Sequence, residues 1–588
     1  MSFGKAFFSS CLGALTALVV FTILSIIIFG AIVGGMTSET EVVVAENSVL
    51  HLELDGEISE LQKENPLAGL PVPGGDQINI GVLQLKQAIA HAKTDANIQG
   101  IYLDVSYPQA GFSSLEEIRE SLIDFRTSGK WVISYGEVMS EPAYYLATAA
   151  HKIYLNPEGD IEFNGLTVDI GFFKRMLNKL EIKPQVFRVG EYKSAVEPFL
   201  LEQMSPENRL QLTELINSIY DHVLNRISQE RAVPVEKLRD IADNMLVRDA
   251  SAALEMNLVD SLLYKDQFDA VLKQKLGVDE TRDMKFISYG KYRKSFSGYK
   301  KSKNEIAVIV AEGTIMPGEG ESDDVIGGEE FVEEIRKARE DDDVKAIVLR
   351  VNSPGGEFRA SDMIWREVQL AKKAKPIIAS MGDYATSGGY YLSMGCDTIV
   401  AQPHTITGSI GIFGVMFDMS DFLGNKLGIT FDEVRTGKFG EMYTVTRPLS
   451  DTEKQFWQRS LDKHYETFAT KAAEGRDMPL EELKKVASGR VWTGVQAKEH
   501  KLVDMLGGFD DAVRIAAVKA GIEKDYKLKF FPQERPFFEE LVSRLEENAK
   551  VQLVKEELGD LYPWYTQFEK IKTFQGEQAR MPFELTIH

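Results

Sequence analysis

Two stretches of this chain are copies of each other, and that constrains the fold more than anything else in it. Ile98-Gln-Gly-Ile-Tyr-Leu-Asp-Val105 matches Val344-Lys-Ala-Ile-Val-Leu-Arg-Val351. Ala143-Tyr-Tyr-Leu146 matches Gly389-Tyr-Tyr-Leu392, and Asn156-Pro157 matches Gln402-Pro403. The offset is constant, because 344−98, 390−144 and 403−157 all equal 246. The match continues with a small shift: Leu258-Val-Asp260 pairs with Leu502-Val-Asp504, where 504−260 is 244. A unit of about 220 residues is therefore present twice.

Within the unit, short β-branched runs alternate with helical periodicity. Ile306–Val310 reads as a buried strand, and Phe331, Ile335 and Ala338 then fall on one helical face. Ala346–Leu349 is the next strand, Met363–Ala374 is helical, and Pro376–Ala379 returns to strand. Strand, helix, strand, helix predicts an α/β fold with parallel sheet cores and right-handed crossovers. The boundaries expected from the pattern are an N-terminal repeat over 47–275, a linker over 276–304 rich in Lys, Ser and Gly, and a C-terminal repeat over 305–522. Residues 523–588 follow as a tail, in which 537–556 has helical spacing.

Charge and cysteine content exclude several functions. With 67 Lys+Arg against 89 Asp+Glu, the net charge is −22, which argues against a nucleic-acid partner. The two cysteines, Cys11 and Cys396, build neither a disulfide framework nor a Cys-based metal site. The eight histidines show no ligand spacing, so neither a metal nor another cofactor is expected. At the N-terminus, no charge stands between Lys5 and Glu39, and Cys11–Val33 is almost wholly apolar. A bilayer core needs roughly 20 such residues as helix. The run exceeds a signal-peptide core and lacks an A-x-A site, so residues 1–38 are expected to be an uncleaved membrane anchor. Lys5 before the span and Glu39 and Glu41 after it place the N-terminus inside and the bulk of the chain outside.

Chemistry concentrates in three small-residue motifs of the C-terminal repeat. Asn352-Ser-Pro-Gly-Gly356 follows a strand, where glycines let backbone N–H groups approach a ligand, as in an oxyanion hole. Ala385-Thr-Ser-Gly-Gly389 could begin a helix close to another backbone; its Ser387 is read as structural because of the Gly-Gly that follows. Thr407-Gly-Ser-Ile-Gly411 is a tight turn that could project the Ser409 hydroxyl into a cleft.

In this order and spacing the three motifs resemble the signal peptide peptidase A (protease IV) family, in its long bacterial form with two repeats. The resemblance covers nearly the whole chain. It implies tandem Clp protease/crotonase-like repeats behind one transmembrane helix, and a serine/lysine peptidase with Ser409 as nucleophile. It implies that Gly190-Glu-Tyr-Lys193-Ser-Ala-Val-Glu-Pro198 carries the general-base lysine. The duplication supports this independently. Setting Gly190 against Gly437 puts Lys193 opposite Gly440, and the 246 offset puts Ser409 opposite Phe163, so each repeat carries half of a dyad. Lys438 is a near neighbour that a slipped alignment would promote.

A buried lysine can lose its proton at neutral pH and act as a base. Lys193 is therefore expected at the seam between repeats, within reach of Ser409, with backbone N–H groups of Gly355 or Gly356 and of Ile410 holding the oxyanion. His404 lies too close along the chain to serve Ser409 well, and His464 falls in a helical stretch. Further implications of the resemblance are signal-peptide remnants as peptide substrates, a ring-like homotetramer, and a single-pass position in the bacterial inner membrane with the catalytic part on the outer, periplasmic side. Two other readings stand beside the endopeptidase: a crotonase-like acyl-CoA enzyme, which the outward topology disfavours, and a non-catalytic membrane scaffold.

Overall fold

The computed structural model describes residues 42–62, 79–296, 302–320, 324–532 and 576–581, with scattered positions between 13 and 24 and between 554 and 559. The N-terminal repeat is built on β1 (Ser48–Glu53), β2 (Ile98–Asp104), β3 (Trp131–Met139), β4 (Lys152–Ile161), β5 (Lys183–Val189), β6 (Ser261–Leu262) and β7 (Lys285–Ser288). Its sheet runs β7-β1-β2-β3-β4-β6, and every neighbouring pair is parallel. Helices α1 (Val82–Thr94) and α2 (Phe112–Arg126) make two of the crossovers. The long α3 (Pro206–Arg231) starts at Ser205, whose hydroxyl accepts the Asn208 N–H at 3.1 Å, with Pro206 in the first turn.

The C-terminal repeat rebuilds the same order. Its strands are β8 (Glu305–Met316), β9 (Val344–Glu357), β10 (Ile377–Thr386), β11 (Thr398–Ala401), β12 (Ile406–Gly408), β13 (Ile412–Asp418), β14 (Val491–Thr493), β15 (Met505–Leu506), β16 (Lys527–Phe531) and β17 (Gly576–Arg580). The parallel run β16-β8-β9-β10-β11-β15 is the counterpart of β7-β1-β2-β3-β4-β6. Valine, isoleucine and leucine fill β8 and β9 because helices cover both faces of a parallel sheet. In α4 (Gly328–Glu340), Phe331, Ile335 and Ala338 are the buried stripe, with Glu329 and Glu330 in the first turn and Lys337 and Arg339 in the last. The helices α5 (Phe358–Ala374), α6 (Gly388–Ser393) and α7 (Asp451–Gly475) follow.

Two departures from an isolated repeat position the site. First, β5 leaves its own repeat and pairs antiparallel with β13, from Ile412 opposite Val189 to Asp418 opposite Lys183. A mixed cluster of Ile182, Ala195, Val196 and Phe199 from one repeat with Phe413 and Val415 from the other seals this ribbon. Burying a side chain such as Phe413 contributes about 1.5–3 kcal/mol. Second, β17 lies antiparallel between Gly355–Glu357 of β9 and Phe413–Gly414 of β13.

The expected boundaries shift in two places. Within the expected linker 276–304, β7 joins the N-terminal sheet and Tyr292 is fully buried. Within the expected helical tail 523–588, the stretches 527–531 and 576–580 are strands, because each finds an open strand edge to pair with. Most of 537–556 lies outside the described residues, as does most of the expected anchor 1–38. Among the described residues, no helix is long and apolar enough to cross a membrane.

Candidate active site

The β5 excursion ends in the turn that carries Lys193. That side chain is wholly buried, and its Nζ lies 2.8 Å from Ser387 Oγ, 3.0 Å from Ser409 Oγ and 3.0 Å from the Ser409 carbonyl oxygen. The expected meeting of Lys193 and Ser409 across the seam is thus present. Burial pushes the Lys193 ammonium well below the ordinary lysine value, and among the described residues no acidic group offsets it.

Three further segments hold this arrangement. The turn Ser488–Arg490 lies between the lysine and the Ser409 turn. Tyr192 N–H donates to Ser488 O at 2.9 Å, Gly489 N–H to Ile410 O at 2.8 Å, and Ser409 N–H to Arg490 O at 2.7 Å. Gly489 has φ +80°, and a Cβ there would come within 2.7 Å of the Lys193 backbone. From the other side, α3 supplies Gln211, whose Nε2 donates to Tyr192 O at 3.2 Å and to Ser194 Oγ at 3.0 Å. Asn208 Oδ1 accepts from Ser194 Oγ at 2.9 Å.

Ser387 is the residue that the sequence reading set aside and the structure brings in. It sits where β10 turns sharply into α6, with φ 53° and ψ −107°, a region costing a non-glycine residue of order 1–3 kcal/mol. Its N–H donates to Gly408 O at 2.8 Å, which ties it to the Ser409 turn. Ser409 also has a positive φ, 51°. The sequence contained a signal for Ser387, since a strand end of small residues followed by Gly-Gly is the composition of a nucleophile elbow.

The expected oxyanion donors separate. Gly355 N–H is taken by Ser353 Oγ at 3.1 Å. Gly356 instead pairs with Ala579 of β17. The Gly388 N–H adjoins Gly355, 2.7 Å from where a Gly355 Cβ would stand. Ile410 is buried in the C-terminal core, its carbonyl committed to Gly489.

Neither histidine touches the serines. Both His404 ring nitrogens are buried without a partner, and burial keeps the ring neutral. Its neighbours are Phe112, Tyr145 and His222. His464 Nδ1 lies 2.8 Å from Glu577. Lys438 is exposed, over the Phe439 ring. Among the described residues, no group of His, Cys, Asp and Glu could hold a metal ion.

Comparison with known proteins agrees with the duplication. Peptidase family S49 matches residues 124–279 and again 369–523. Protease 4 of Haemophilus influenzae is 32% identical over 561 residues, covering 91% of this chain and 90% of that protein. Protease 4 of Salmonella typhi is 39% identical over 463 residues, 77% of this chain and 74% of its own. A putative signal peptide peptidase SppA of Enterococcus faecium is 37% identical over 184 residues, 31% of this chain and 53% of its own. A ClpP1 mutant of Listeria monocytogenes aligns with 35% of this chain and 94% of its own at 11% identity and TM-score 0.24, too low to bear on the fold.

Proposed function

The chain belongs to peptidase family S49 and is a serine peptidase, and from that premise we propose a Ser/Lys mechanism in which Lys193 is the general base and Ser387 the nucleophile. The observation that carries the reading is a fully buried lysine amine within 3.0 Å of two serine hydroxyls, with no carboxylate among the described residues to hold its proton.

A neutral amine has two N–H donors and one lone pair. The Ser409 carbonyl can only accept, and Ser409 Oγ stands beside it, so both N–H groups can be spent on Ser409. The lone pair is then left for the Ser387 hydroxyl at 2.8 Å. In this assignment Ser409, expected from the sequence as the nucleophile, orients the lysine. Ser387 Oγ–H gives its proton to Nζ as oxygen attacks the scissile carbonyl, and Nζ–H then passes a proton to the leaving amine. Water repeats the sequence on the acyl-enzyme. The Gly356 and Gly388 amides are proposed as oxyanion donors, each worth about 3 kcal/mol of barrier.

The second reading keeps Ser409 as nucleophile and rests on its own 3.0 Å contact with Nζ. A fluorophosphonate probe followed by peptide mapping separates the two. The adduct is expected on Ser387, and an adduct on Ser409 would reverse the roles. Ser387→Ala and Lys193→Ala should each abolish peptide hydrolysis. Ser409→Ala should lower kcat/KM by about 100-fold, as expected when a base is misaligned. Near-full activity in Lys193→Ala would rule out the dyad.

The wider setting belongs to the same proposal. The apolar run Cys11–Val33 supports an anchor in the bacterial inner membrane, with the peptidase on the periplasmic side. Held there, the site would meet signal-peptide remnants, the substrate class suggested by the Enterococcus faecium relative's name. A homotetramer and membership of the Clp protease/crotonase class are proposed on the family resemblance. The parallel run β7-β1-β2-β3-β4-β6 and its counterpart β16-β8-β9-β10-β11-β15 are consistent with that class.

A further inference from the structure

The turn that presents Lys193 is small and depends on a side chain from another element. Lys193 has φ −76° and ψ 74°, and Ser194 N–H donates to Tyr192 O at 2.8 Å. This is an inverse γ-turn with the lysine at its centre. Its one closing hydrogen bond is a modest restraint, yet Nζ has to stand within 3.0 Å of two serine hydroxyls. Gln211 of α3 adds the missing restraint. It is buried beside Asn208 and Ser194. Its Nε2 reaches both ends of the turn, 3.2 Å from Tyr192 O and 3.0 Å from Ser194 Oγ, and lies 3.0 Å from Asn208 Oδ1.

The oxygen of the same amide is committed to the second repeat. Gln211 Oε1 accepts the Val491 N–H at 3.3 Å. That N–H belongs to the peptide unit whose carbonyl, on Arg490, accepts the Ser409 N–H at 2.7 Å. The Arg490–Val491 peptide is thus held between Ser409 on one side and Gln211 on the other. Tyr192 O can only accept and Val491 N–H can only donate, so these partners fix which way the amide points. A carboxylate or a hydrocarbon of similar length could serve at most one of the two ends. The amide also brings no charge to the lysine. Charge lies at the margin of the network, where the Glu197 carboxylate accepts from Asn208 Nδ2 at 3.1 Å and Glu214 pairs with Arg490. Two turns further along α3, Ser218 Oγ lies 2.9 Å from Thr493 Oγ1 and so joins the same helix to β14 away from the lysine.

We propose that Gln211 is a positioning residue for peptide hydrolysis: one amide grips both ends of the turn that presents Lys193 and the peptide unit that holds Ser409, and so sets where the amine stands between the two serines. The proposal rests on the Ser/Lys reading of the same site. Gln211 acts through the lysine and touches no reacting atom.

The test uses the full-length protein with Gln211→Leu, Gln211→Glu and, as a comparison, Ser218→Ala. Gln211→Leu should lower kcat on an unstructured fluorogenic peptide by about 10–100-fold with KM near the wild-type value, because a small displacement of the base is enough. Labelling of the nucleophile by fluorophosphonate should slow by the same factor. Ser218→Ala, which loosens the same helix from the same strand, should keep wild-type kcat. Gln211→Glu sets a carboxylate beside the amine and favours the ammonium, so the rise of kcat/KM with pH should move to higher pH. A merely structural fault would leave that profile in place. Wild-type kcat in Gln211→Leu, an equal loss in Ser218→Ala, or an unmoved profile in Gln211→Glu overturns the positioning role. If Lys193→Ala hydrolyses peptide like the wild type, it is the dyad itself that fails.

Discussion

In the proposed mechanism Lys193 works by being unfavourable where it is. Its folded-state pKa is depressed by burial, while in the unfolded chain it titrates near 10.4, roughly the model-peptide value. Between those two values the unfolded chain holds a proton that the folded protein has lost, so folding stability rises with pH across that window. Lys193→Met, which fills a similar volume without a charge, should therefore raise the melting temperature at neutral pH while abolishing hydrolysis. Its advantage should shrink as pH approaches about 10. Equal melting temperatures for the two proteins at neutral pH would mean that the buried amine carries no such penalty. By the same ionisation, kcat/KM of the wild type should rise with pH through an apparent pKa well below that of an ordinary lysine. The lysine was legible in the sequence because Gly440 stands opposite it in the other copy. Ser387 was legible only in part, because Ala-Thr-Ser-Gly-Gly suits a nucleophile elbow and a closely packed helix start equally, and it is the backbone angles that separate the two.

At the scale of elements, the site is a clamp of three turns. The turn after β5 bears the lysine, the turn after β12 bears Ser409, and Ser488–Arg490 ties both together through backbone hydrogen bonds. Gly489→Ala would drive a methyl group into the Lys193 backbone, and φ +80° adds strain. A fall in kcat/KM of about 100-fold is expected, because displacement by an ångström at the base is enough. Far-UV circular dichroism should stay unchanged, and wild-type kcat/KM in this variant would show that the clamp is slack. The alternation of strands and helices could be read from the sequence because buried parallel strands are continuous apolar runs. The edge strands β7 and β16 could not. Each is flanked by charge, largely accessible and paired on a single side, so by pattern one reads as linker and the other as tail. They are the same element, the closing strand of each repeat beside β1 and β8. The crossing of β5 was hidden for another reason: nothing local in Lys183–Val189 says which repeat it joins.

For the whole molecule, the seam between repeats is both core and candidate active site. Arg350 of the second repeat is fully buried, 2.8 Å from Glu60 and 2.8 Å from Glu117 of the first. Lys86 closes the group at 2.6 Å from Glu117. Burial alone would push the Glu117 carboxyl up, yet Lys86 and Arg350 hold it down to about 2. Arg350→Met would leave these carboxylates short of a cation and should cost about 3–5 kcal/mol in urea unfolding. A loss below 1 kcal/mol would indicate that water or proton uptake compensates. None of this network was legible, since Glu60, Lys86 and Glu117 look like ordinary solvated charges one at a time. The duplication was legible, and it also sets an order in time. The lysine leaves the ribosome 194 residues before Ser387, which at 5–20 residues per second is about 10–40 s. For that interval the nascent protein carries the proposed base with nothing to activate.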